Sequence, residues 1–264
     1  MQLHYPSASQ AIQLLLRLIL VIVILLAPYF IIRLLTNGYN GLMQGDSFYF
    51  YSSKIVAQIV IFYWAYKRIR KDDSFSLTDE LSPSLNTNLL WGILGGLALI
   101  FLMEPVEQIV PANSLLQVYF SNLTDNKLSS FLYVVLISPV LNELIFRAII
   151  LRGFLKNYKP GIAIVGTALL FAVFHFSLLQ IVISFILSLF IGFVYWQTRS
   201  LLLCIILHIL NNAVAYIIIV FAGQIKSLSS LIPNTKIYLL FYLSAAATLS
   251  ITLLQIYKKN QLKI

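Results

Sequence analysis

Apolar residues run along this chain in long blocks, and short polar stretches separate them. About 20 apolar residues carry an α-helix across a hydrocarbon core of about 30 Å, at about 1.5 Å per residue. Eight blocks of roughly this kind can be drawn, at 11–35, 50–68, 87–104, 131–152, 162–177, 179–197, 201–221 and 237–257. The fifth is the shortest. The connection at 178–179 is so tight that the fifth and sixth are expected to be antiparallel neighbours. Between the blocks lie a short polar loop, 72–86, and a longer segment, 105–130, which holds Pro105, Pro111 and the polar run SNLTDNK and is expected to carry a surface helix. The pattern predicts an all-α, polytopic membrane protein of about eight transmembrane helices, with residues 1–264 forming one integral membrane domain.

Composition agrees. The chain is 60% hydrophobic and 10% charged, with a mean hydropathy of +0.90. Soluble domains carry about 25% charged residues, and the apolar blocks leave no room for one. The net charge of +9 lies in short clusters at block ends, which points to the lipid bilayer and not to nucleic acid as the partner. Eleven basic residues (Lys67, Arg68, Arg70, Lys71, Arg152, Lys156, Lys159, Arg199, Lys258, Lys259 and Lys263) fall on one side of an eight-span arrangement. Five (Arg33, Lys54, Lys127, Lys226 and Lys236) fall on the other. The excess places both termini in the cytoplasm. A single cysteine excludes an internal disulfide and a cysteine-based metal cluster. The first apolar block is too long for a cleaved signal peptide and no small-residue cleavage pattern follows it. Small residues four apart, Gly92 and Gly96 in the third block and Ser184, Ser188 and Gly192 in the sixth, are expected to be faces where helices approach closely.

Against this background Asn142–Arg147, reading NELIFR, stands out. Glu143 is the only acidic residue after Asp125, and it sits in the middle of an apolar block. Ionisable groups at such depth are costly and face a bundle interior or a water-filled cavity. Glu143 and Arg147 are four apart, with the acid first, the favourable order for an ion pair on one helix face. Pro139, just before, removes a backbone hydrogen bond and is expected to kink the helix and open a polar pocket. Two later blocks each carry one histidine. Phe171 and His175 are four apart in the fifth; His208 and Asn212 are four apart in the seventh, with Asn211 adjacent and Cys204 one turn earlier. An imidazole beside an amide can donate hydrogen bonds to a developing oxyanion. Asn212 serves equally well as a link between helices. Cys204 reads as a small buried residue, with a His208-activated nucleophile as the minor alternative. Counted from the cytoplasmic ends, Glu143 and His208 both lie roughly 12–14 Å deep, whereas His175 comes out near 20 Å. That depth fits only with a tilted fifth span or one that begins with an interfacial turn.

These pieces, in this order, resemble the CPBP family of intramembrane proteases, the CAAX proteases and bacteriocin-processing enzymes also called the Abi family. Its pattern is a Glu-Glu-x-x-x-Arg helix, a Phe-x-x-x-His helix and a His-x-x-x-Asn helix. Here these read Asn142-Glu143…Arg147, Phe171…His175 and His208…Asn212, within a core of about 131–221. The resemblance implies water attack on a peptide bond inside a cell membrane, here expected to be a bacterial plasma membrane. The first glutamate and first histidine would activate the water, and the second histidine and the asparagine would hold the oxyanion. Substrates would be membrane proteins or peptides, lipidated ones included. No cofactor is required by this scheme. Zinc held by His175, His208 and Glu143 is the metal alternative. The departure is Asn142, which stands at the first glutamate of the pair and cannot accept a proton as a base near neutral pH. Three readings follow: Glu143 takes over, the site is weakened or dead, or Asn142 is an engineered change. A catalytically impaired pseudoprotease acting as a membrane scaffold is therefore the alternative function. A small-solute transporter ranks third, because no internal repeat supports it.

Overall fold

The structure, a computed structural model, describes residues 4–43, 47–72, 75–81, 87–110, 124, 127–175, 177–221, 232 and 234–261. All regular structure among them is helical. The helices are α1 (Ala8–Met43), α2 (Ser47–Asp72), the single turn α3 (Leu77–Glu80), α4 (Thr87–Ile109), α5 (Lys127–Asn157), α6 (Pro160–Ala172), α7 (Leu178–Thr198), α8 (Leu201–Phe221) and α9 (Thr235–Gln261). Each of the eight apolar blocks becomes a helix. Six are long and apolar enough to cross a membrane: α1, α4, α5, α7, α8 and α9. The chain is a polytopic all-α membrane protein.

The other two helices depart from the expectation of eight full spans. Helix α2 has the length, but Lys54, Gln58 and the basic run Lys67–Lys71 dilute its apolar character. Helix α6 has 13 residues, which reach about 20 Å, well short of a hydrocarbon core. The surface helix expected within 105–130 lies for the most part outside the described residues.

Helix α5 is the central element and packs against α2, α6, α7 and α8. Ile145, Ala148, Ile149, Ile150 and Leu151 on it are fully buried. It is not a uniform α-helix. Phe131–Ile137 and Leu144–Leu151 are wound as π-helix on either side of the α-helical turns Ser138–Glu143. Such wide turns appear frequently at functional sites. The first accounts for the disturbance expected at Pro139. The N–H of Ser138 reaches back five residues to the Tyr133 carbonyl, and Pro139 has no N–H with which to continue that ladder to Val134.

The small residues lie where helices meet. A Cβ on Gly92 would stand 3.3 Å from Leu203 of α8, and one on Gly192 would stand 3.1 Å from Ile164 of α6. The tightest approach in this part of the bundle is at a glycine outside the four-residue pattern. A Cβ on Gly95 would meet Thr252 of α9 at 2.5 Å. At one end of the bundle the turn α3 is held down by Glu80, whose carboxylate accepts from the Tyr195 hydroxyl at 2.6 Å and lies 3.3 Å from the Arg152 guanidinium.

Candidate functional site

Three side chains of the sequence constellation meet at the middle of α5. Glu143, Arg147 and His208 are 0%, 1% and 4% exposed. Arg147 Nη1 donates to Glu143 Oε1 at 3.0 Å, and its Nε lies 2.9 Å from Oε2, an ion-pair contact without hydrogen-bond alignment. The i, i+4 pair is therefore formed. Arg147 also reaches α7, where Nη2 donates to the Ser188 hydroxyl at 3.0 Å and to its carbonyl at 3.3 Å. Ser188, read from the sequence as a packing residue, is thus a ligand of the buried guanidinium. From α8, His208 Nδ1 comes to 2.6 Å of Glu143 Oε1. A carboxylate accepts, so Nδ1 is the donor in this contact.

The Phe171 ring organises the rest. His208 stands edge-on to it at 5.7 Å and His175 at 5.2 Å, while the Arg147 guanidinium carbon lies 5.4 Å from its centroid. Phe171 and His175 do not share a helix face, as their spacing had suggested. Helix α6 stops at Ala172, and the N–H groups of Phe174 and His175 turn back three residues to Phe171 and Ala172. His175 sits in the connection between α6 and α7, with Nδ1 3.3 Å from the Ala172 carbonyl. The run Val173-Phe174-His175 is β-branched and aromatic and a poor helix former. The tight link expected at 178–179 is thus replaced by a turn that begins five residues earlier, so His175 lies past the end of α6 and not on it. The neighbours α6 and α7 do pack together as expected.

Asn142 points elsewhere. Its Oδ1 accepts from Gln58 Nε2 of α2 at 2.8 Å, and its Nδ2 donates to the Ser138 hydroxyl at 3.3 Å. Gln58 was missed in the sequence, although a buried amide in an apolar block was the available signal. Asn212 donates from Nδ2 to the Val134 carbonyl at 2.8 Å. That is the carbonyl whose π-helical donor Pro139 lacks, so the amide fills a gap the proline leaves and ties α8 to α5. Asn211 in turn donates to Asn212 Oδ1 at 3.2 Å. Cys204 is fully buried, with its thiol against the carbonyls of Ser200 and Ile191.

The residues do not fit a metal. Among the described residues no three His, Cys, Asp or Glu side chains are grouped to hold one. Both Glu143 oxygens already face Arg147, one of them also His208. A third ligand from His175 would come from beyond Phe171.

A buried carboxylate, guanidinium and imidazole inside a helical membrane bundle form a site of the acid–base kind. Residues 124–214 match the family described as type II CAAX prenyl endopeptidase Rce1-like. All three motifs fall within the matched residues, about a third of the chain, and the match supports the resemblance to the CPBP, or CAAX-protease, family. What the matched family's description gives is a peptidase, and the apolar helices place this chain in a lipid bilayer. Comparisons with curated proteins and with solved structures gave no match.

Proposed function

We propose that this chain is an intramembrane endopeptidase whose working group is His208, held by Glu143. The observation that carries the reading is the 2.6 Å contact between His208 Nδ1 and Glu143 Oε1 in a fully buried setting. Glu143 is paired on two sides, so its role is to fix the ring and its tautomer, as the carboxylate does in a Ser-His-Asp triad. His208 Nε2 then takes a proton from water as the water oxygen bonds to the substrate carbonyl carbon. The same proton passes to the leaving nitrogen as the peptide bond breaks, giving one new carboxyl and one new amino terminus. His175, edge-on to the same Phe171 ring, serves as a donor to the oxyanion. Asn142 positions α2 through Gln58, and Asn212 holds α8 against α5. Both termini are placed in the cytoplasm, and substrates are membrane-associated or lipidated proteins and peptides.

A second reading rests on the amide at position 142. Its oxygen is taken by Gln58 and offers no proton acceptor, which favours a scaffold that binds membrane partners without cutting them. Membrane proteomics separates the two. Cells carrying no copy, the natural sequence or His208→Ala are compared at matched expression. The peptidase reading expects the same uncut precursors to accumulate without the protein and with His208→Ala. If His208→Ala behaves like the natural sequence while the deletion shows a defect, the scaffold reading replaces it.

A further inference from the structure

The segment before α1 is folded back onto the end of the bundle. The His4 N–H donates to Asn157 Oδ1 at 2.8 Å, Asn157 Nδ2 donates to the His4 carbonyl at 2.8 Å, and the Ala8 N–H donates to the Tyr158 hydroxyl at 3.2 Å. Pro6 lies so close to Gly153 that a Cβ there would stand 2.3 Å from its ring. This hook presses Tyr5 toward α2 and closes a cavity of about 60 Å³ lined by Tyr5, Gln10, Gln13, Arg17, Trp64 and Arg68, with Leu14 beneath. It shares no residue with the Glu143–His208 site. A single water needs roughly 10–15 Å³ by such a measure, so the cavity has room for a polyatomic group.

The lining is selective. Gln10, Gln13 and Arg17 recur at helical spacing along one face of α1, and Trp64 and Arg68 are one turn apart on α2. The Arg17 guanidinium lies 4.4 Å from the Trp64 ring centroid and that of Arg68 lies 5.0 Å from the Tyr5 ring. Neither arginine has an ion pair among the described residues. The Tyr5 hydroxyl is buried and has no hydrogen-bond partner among them either. Burial pushes its phenol up to about 12, against the pull of Arg68 and Arg17, so it stays a neutral donor. Two guanidinium groups, two side-chain amides and an orphan hydroxyl line the cavity, with no carboxylate among them. That set matches the oxygens of a phosphate.

The position favours a phosphate on a lipid. Arg68 lies one turn before the end of α2, in the basic run Lys67–Lys71 that the sequence assigns to the cytoplasmic side, where anionic lipid head groups attract basic residues, and Trp64 lines the cavity. Leu20, three residues past Arg17 on α1, is 57% exposed and offers apolar surface to an acyl chain. We propose that the pocket formed by Tyr5, Arg17 and Arg68 binds the phosphate of an anionic membrane phospholipid and so fastens the amino-terminal hook to the bilayer.

The test is native mass spectrometry of the full chain in detergent, titrated with phosphatidylglycerol in the absence and presence of inorganic phosphate. The natural sequence is compared with Arg17→Gln/Arg68→Gln and with Lys258→Gln/Lys259→Gln, which removes the same charge elsewhere. The first-lipid affinity is expected to fall at least tenfold in the arginine variant and less than twofold in the lysine variant. Inorganic phosphate that fails to compete assigns the site to the lipid. Inorganic phosphate that competes in the natural sequence and binds the arginine variant poorly assigns the site to free phosphate and overturns the lipid source. Equal lipid affinity in all three chains, or an equal loss in both variants, overturns the site itself. Should the arginine variant aggregate, Tyr5→Phe carries the test, because it removes only the orphan hydroxyl. A loss of about threefold supports the site, and an unchanged affinity overturns it.

Discussion

Helices α5 and α9 are both long and apolar enough to cross a membrane, yet they are built for different neighbours. In α5, 61% of the span is buried within the protein; in α9, 6%. Mean hydropathy does not separate them, because a leucine is as well accommodated by lipid tails as by other leucines. What separates them is polarity. Helix α5 carries Ser138, Asn142, Glu143 and Arg147, and each finds a partner on another helix or on its own. Helix α9 exposes Leu239, Leu240, Phe241 and Leu243, buries Thr252 and Ile256 fully, and meets α4 through Tyr238 and Tyr242, whose hydroxyls donate to Glu104 and to the Leu102 carbonyl. The buried ion pair of α5 has to face protein, whereas the hydroxyls of Ser244 and Ser250 on α9 are satisfied by carbonyls of their own helix and stay exposed.

The largest effect should come from breaking the polar set. Arg147→Ala leaves the Glu143 carboxylate buried with only His208, and removing one partner of a buried pair costs about 3–5 kcal/mol. Thermal unfolding in detergent measures it; a loss below about 1 kcal/mol would erase the distinction between the two helices. Arg147→Lys should recover little, because a lysine cannot serve Glu143 and Ser188 with one planar fork. Next comes the tightest approach of α9 to α4, at Gly95. Gly95→Val forces α4 and α9 apart at Thr252 and is expected to cost about 1–3 kcal/mol, the range for overpacking. Thr252→Ala in the same background should restore part of it, and no restoration would mean that α9 is seated elsewhere. Asn212→Ala removes one interhelical hydrogen bond, worth about 0.6 kcal/mol on average in membranes and about 1.7 at most. A larger loss would give Asn212 a role beyond filling the gap left by Pro139. At the bottom of the scale, Leu240→Ala on the lipid face of α9 should change stability by less than about 0.5 kcal/mol. A loss of about 2 kcal/mol or more would show a buried site there.

Much of the architecture was legible in the sequence, because every apolar block is a helix and the Glu143–Arg147 spacing forces the pair. His208 was legible as a partner only through the depth count, which set it level with Glu143. His175 was misplaced for a local reason. Hydropathy continues smoothly through Val173-Phe174-His175, while the backbone leaves the helix at Ala172. Periodicity records which residues are apolar and not where a helix stops. The partners of Gln58 and of the Val134 carbonyl were invisible for another reason. Their importance is set by Asn142 and Pro139 on one side and by Asn212 on the other, and such pairings depend on which helices become neighbours. The amino-terminal hook has no apolar pattern at all, so only the structure brings Tyr5 to Trp64 and Arg68.

The central claim is that Glu143 and His208 act as one unit, and a double-mutant cycle on precursor processing tests it most directly. Processing would be followed in cells carrying Glu143→Gln, His208→Ala or both, at matched membrane levels. Removing either member of an acid–base unit is expected to slow processing by at least about 10²-fold, with the double variant no slower than the worse single one, because coupled groups are not additive. Full processing by Glu143→Gln, or losses that multiply in the double variant, would contradict the account.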